Sequence, residues 1–84
     1  MKYEIIWTDP AKKELKKLEY IIGKRVYNKV SELADNPFRN TIKLVGENGY
    51  RLRVGDYRVI FDIIQDKLII LVLKVGHRST IYDR

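Results

Sequence analysis

Between Tyr50 and Ile63 the chain carries two runs of alternating residues around Gly55-Asp56: Tyr50, Leu52 and Val54 with Arg51 and Arg53 between them, then Tyr57, Val59, Phe61 and Ile63. Alternation at period two in β-branched and aromatic types specifies strands. Gly-Asp between two such runs supplies the positive φ of a type II′ or I′ hairpin turn. A two-residue turn fixes the register, so that Val54 faces Tyr57, Arg53 faces Arg58, Leu52 faces Val59 and Arg51 faces Ile60. Arg51, Arg53 and Arg58 then share one face of the hairpin. Tyr50, Leu52, Val54, Val59 and Phe61 occupy the other, which demands a cover.

The N-terminal half provides that cover. Tyr3, Ile5 and Trp7 alternate as on a half-buried strand. Asp9-Pro10 then opens a helix, with Asp9 positioned to cap it and Pro10 suited to the first turn. Ala11, Leu15, Leu18 and Ile22 recur at helical spacing until Gly23 interrupts them. Val26, Val30, Leu33 and Ala34 form a second stripe that Asn36-Pro37 stops. The stretch from Phe38 to Gly49 reads as a loop with a short strand at Ile42-Lys43-Leu44. After Gln65-Asp66, Lys67 to Val75 is almost wholly apolar, as in a central strand buried on both faces. With 84 residues there is room for one hydrophobic core. The expectation is a single α+β domain over residues 1–84, an N-terminal strand and helix hairpin packed on a small, mainly antiparallel sheet.

Seventeen Lys and Arg against eleven Asp and Glu give a net charge of +6, which points to a polyanionic partner such as nucleic acid, an acidic protein or an anionic surface. Cysteine is absent, so a disulfide framework and a thiolate metal site are excluded. The start of the chain lacks the apolar stretch of a signal peptide, and the longest apolar run, Leu68 to Leu73, is too short to span a bilayer. A soluble cytoplasmic protein with no membrane partner is expected.

Like charges set directly across a hairpin repel by roughly 1 kcal/mol at about 5 Å in water. A solitary strand arginine is ordinarily just solvated, but three on one face, two of them opposed, point to an anion. Gly76-His77-Arg78-Ser79-Thr80-Ile81-Tyr82 follows the last strand and brings an imidazole, a guanidinium and a phenol. Arginine can hold a phosphate bidentately and neutralise transition-state charge, histidine can move protons near neutral pH, and tyrosine can stack on a base. Lys12, Lys13, Lys16 and Lys17 on the first helix, with Arg25 beyond them, form a second basic surface, either simply solvated or available to RNA.

At Gly55-Asp56-Tyr57-Arg58-Val59-Ile60-Phe61 and Val75-Gly76-His77-Arg78 through Ile81-Tyr82, the chain resembles the RelE/ParE toxin superfamily of prokaryotic toxin–antitoxin systems. Asp9-Pro10-Ala11-Lys12, Asn36-Pro37 and Lys43-Leu44 extend the likeness over essentially the whole length. The resemblance implies a RelE-like fold and a ribosome-dependent endoribonuclease that cuts mRNA in the decoding site, without metal or other cofactor, by attack of a ribose 2′-OH on the adjacent phosphate. Arg58 and Arg78 would stabilise the phosphorane, Arg51 and Arg53 would grip the backbone, and Tyr82 would stack on a nucleotide. Lysine often stands at the first pair in RelE toxins, and arginine is a poor proton shuttle, which makes His77 the alternative proton carrier. The resemblance also implies an acidic RelB-like antitoxin, in a heterodimer or heterotetramer. ParE-like members of the superfamily instead poison DNA gyrase, and an inactive nucleic-acid-binding member is a further alternative. The basic constellation favours RNA cleavage.

Overall fold

The computed structural model describes residues 2–39, 41–46 and 48–77. Five strands form one sheet in the order β1-β5-β4-β3-β2: β1 (Glu4–Trp7), β2 (Thr41–Lys43), β3 (Tyr50–Val54), β4 (Tyr57–Ile64) and β5 (Ile69–His77). Neighbours are antiparallel except β1 and β5, which run parallel, so the sheet is mixed. Helices α1 (Asp9–Lys17) and α2 (Tyr20–Glu32) cover one face. The core between the layers holds Ala11, Val26, Val30, Val59, Phe61, Ile70 and Val72, each fully buried.

The β3–β4 hairpin has the register that its turn requires, pair for pair from Val54–Tyr57 to Tyr50–Phe61. Gly55 has φ +60 while Asp56 does not enter the positive region, the pattern of a type II′ turn.

Five expectations are corrected. Thr8, not Asp9, caps α1: its Oγ1 accepts from the Ala11 N–H at 3.4 Å and donates to the Val72 carbonyl at 2.8 Å, tying the helix start to β5. The helices part at Leu18-Glu19, and Gly23 lies inside α2. A β-carbon at Gly23 would stand 3.5 Å from the Leu15 carbonyl and 3.7 Å from Leu18 Cβ, ordinary contact distances, so this glycine neither ends a helix nor is required by the helix crossing. Helix α2 stops at Glu32, and turns through Asp35 precede Asn36-Pro37. The centre of the sheet is β4; β5 lies second from the edge and exposes Lys74. Gly76 and His77 belong to β5 instead of leaving the sheet.

Candidate nucleic-acid interface

The face of the sheet away from the helices carries its cations in two adjacent rows. Arg53, Arg58 and Gly76 stand opposite one another across β3, β4 and β5; next to them run Ile42, Arg51, Ile60 and Lys74 across β2 to β5. Val54–Tyr57 closes a two-residue turn as a hydrogen-bonded pair, which makes Arg53–Arg58 the following, non-hydrogen-bonded pair, whose side chains approach more closely. Arg53 is exposed and its Nε–H donates to the Gly55 carbonyl at 3.3 Å. Arg58 is half-buried, and its Nε is buried without a hydrogen-bond partner. A buried donor left unsatisfied costs about 1–3 kcal/mol. Gly76, opposite Arg58 on β5, puts no side chain beside it. Asp62, whose Oδ1 accepts from the Ile63 N–H at 2.8 Å, lies beyond Ile60 on the same face and ends the basic rows.

Lys74 was missed in reading the sequence. A bulge opposite Ile60/Phe61 leaves Leu73 as an extra residue in β5 and turns Lys74 onto the arginine face; the one signal was its being the sole charge in that strand. The same bulge sends His77 the other way. His77 pairs with Tyr57, and the two rings meet edge-on with centroids 5.4 Å apart. Tyr57 packs against the core, so the imidazole belongs to the helix side and is not brought to the arginine rows. Arg78 and Tyr82 lie outside the described residues.

The basic helix residues separate into two groups. Lys12, Lys13, Lys16 and Lys17 are exposed on α1, in the helix layer and away from the arginine face. Lys17 lies 4.0 Å from Glu14, and Lys12 and Lys16 border an apolar slot with Trp7, Leu15 and Tyr27. Arg25 on α2 is different: its guanidinium comes within 3.8 Å of the position a β-carbon would take on Gly55, beside the hairpin turn. Among the described residues no three His, Cys, Asp or Glu side chains gather as a metal site.

A chain in the toxin–antitoxin complex RelBE2 of Mycobacterium tuberculosis superposes with a TM-score of 0.85 at 27% identity, over 93% of this chain and 100% of that one. The family model for the ParE toxin of the type II toxin–antitoxin system parDE matches residues 5–82. The chain belongs to this family. Within the wider RelE/ParE superfamily, a RelE-like toxin protein of Escherichia coli is 33% identical over 88 residues, covering 99% of this chain and 93% of that protein. The mRNA interferase toxin RelE of E. coli K12 is 29% identical with the same coverage. In this RelE/ParE-family toxin two helices cover one face of a five-stranded mixed sheet, and the arginine rows lie on the other.

Proposed function

We propose that this toxin is a ribosome-dependent endoribonuclease that cleaves mRNA in the ribosomal A site and so stops translation in the cytoplasm. The observation that carries the reading is the Arg58 Nε, buried without a partner on a strand whose cross-strand neighbours are Arg53 and Gly76. Such a group is a preorganised donor for charge that develops on a phosphate. In the reaction the ribose 2′-oxygen bonds to phosphorus, the bond from phosphorus to the 5′-oxygen breaks, and the products are a 2′,3′-cyclic phosphate and a 5′-hydroxyl. Arg58 and Arg78 stabilise the pentavalent phosphorus, Arg51 and Arg53 hold the backbone, and Tyr82 stacks on a nucleotide. The chemistry uses no metal. A RelB-like acidic antitoxin neutralises the toxin by covering part of the arginine face, and its relatives' naming as mRNA interferase and as a RelBE complex supports both parts of this reading.

The family match to ParE toxins favours one second reading, a gyrase poison acting by binding. Purified toxin added to ribosomes programmed with a defined mRNA separates the two, with 5′ ends mapped by primer extension and the free mRNA as control. The expected result is cuts confined to the decoding-site codon of ribosome-bound message. Intact message, together with growth arrest and DNA damage in cells, would reject the nuclease and select the gyrase poison.

A further inference from the structure

Strand β2 pairs with β3 from Tyr50 to Leu52, and beyond it a cleft of about 590 Å³ opens between β3 and the end of α2. Its walls come from Lys29 and Glu32 of α2, Asp35 and Arg39 of the following turns, and Leu52 and Arg53 of β3. Arg53 thus belongs both to the arginine rows and to this cleft. Arg25, one helical turn before Lys29, lies beside Gly55 at the hairpin tip. Cations therefore continue from Arg58 and Arg53, round the hairpin past Arg25, to Lys29 and Arg39. The two carboxylates of the cleft are engaged, Glu32 with Lys29 and Asp35 with Lys2, each at 3.9 Å. Exposed pairs of this kind are worth about 0–1 kcal/mol and yield readily to a phosphate. Arg39 is exposed and has no acidic partner among the described residues.

We propose that a single RNA strand lying across the arginine face continues round the β3–β4 hairpin and sets its backbone phosphates in this cleft, against Arg25, Lys29 and Arg39. The proposal rests on the RNA reading of the arginine face and names the path that the strand takes off it. It assigns the RNA track to α2 and the chain after it, and leaves the α1 lysines, which stand in the helix layer above β5, outside the track. Arginine forks grip phosphate in two places at once, which suits Arg25 and Arg39 to backbone contacts that carry no sequence preference.

The test is equilibrium binding of the intact toxin to a fluorescent single-stranded RNA of about 12 nucleotides over a series of salt concentrations. Each lost phosphate contact lowers the slope of log K against log salt by about 0.7. The Lys29→Gln/Arg39→Gln variant is expected to bind at least tenfold more weakly, with a slope shallower by about 1.4, twice the single-contact value. The Lys13→Gln/Lys17→Gln variant has the same net charge and is expected to keep the wild-type slope. Arg25→Gln should lose about 0.7 on its own. Equal slopes in the two double variants, or a larger loss from the α1 pair, would overturn the proposal, as would wild-type binding that does not depend on salt. The ribosome cleavage assay run beside it separates this from the nuclease reading. A toxin that cuts message while the Lys29/Arg39 variant binds normally keeps the nuclease and rejects the cleft. A toxin that binds along the cleft without cutting keeps the cleft and rejects the nuclease.

Discussion

Strands β3 and β4 present two faces built from alternate residues of the same backbone, and the faces obey different rules. On the covered side Leu52, Val54, Val59 and Phe61 are all buried against Val26 and Val30 of α2 and their surroundings. Each such side chain contributes about 1.5–3 kcal/mol by leaving water. On the open side the same strands set Arg53 directly against Arg58, an arrangement that costs about 0.2–1 kcal/mol relative to neutral neighbours. Stability is concentrated on one face and ligand binding on the other. Substitutions at adjacent positions of one strand should therefore move different observables.

Phe61→Ala carries the largest expected effect. Its ring is fully buried and stacks on Tyr50 with centroids 5.9 Å apart. The truncation should lower stability by about 3–5 kcal/mol, a large part of what a small domain possesses, and urea denaturation followed by circular dichroism measures it. A loss below about 1 kcal/mol would mean that the helices do not close this face into a tight core. Arg58→Ala, three positions away, should instead reduce cleavage of ribosome-bound mRNA by about 10²–10³-fold and leave the urea midpoint where it is or slightly higher. Full activity in that variant would remove Arg58 from the site; an unfolded variant would make it a structural residue and dissolve the distinction between the faces.

How far such a division can be read from sequence depends on what sets each feature. The hairpin register was legible because Gly55-Asp56 and the alternation around it are local, and local rules determined every pair from Val54–Tyr57 outward. The helix break was not. Ala11, Leu15, Leu18 and Ile22 keep one helical period across the real turn at Leu18-Glu19, where neither glycine nor proline marks it; the need to lay α2 over β3 while α1 lies over β5 decides it. The faces of β5 were illegible for another reason. Counting by twos from buried Val72 would put Lys74 in the core and His77 among the arginines, and the extra residue Leu73 at the bulge reverses both. Arg58's unpartnered Nε likewise emerges only from packing. Arg78 and Tyr82 were named from the family resemblance and lie outside the described residues.

On the covered side Thr8 serves packing without being apolar. Its hydroxyl joins α1 to β5 through Val72 while accepting from the first turn of the helix. Thr8→Ala should cost about 1 kcal/mol with no change in RNA affinity once the folded fraction is allowed for. An equal loss of affinity in fully folded protein would show that the helix layer takes part in binding and that the faces are not independent.

The smallest effect has the opposite sign. Arg53→Gln keeps a polar side chain that can reach the turn but removes the charge opposite Arg58, so stability should rise by about 0.2–1 kcal/mol while RNA affinity falls. Arg53 is exposed, and its repulsion from Arg58 is open to screening; the gain should therefore shrink as salt approaches about 1 M, where the Debye length is near 3 Å. Stability measured at low and high salt in Arg53→Gln, Arg58→Gln and the double variant isolates the coupling between the two guanidinium groups. A coupling that is unfavourable at low salt and vanishes at high salt would identify the pair as a cost the fold carries for its ligand. A coupling of zero at both would mean that the arginines splay apart and that their pairing costs the fold nothing.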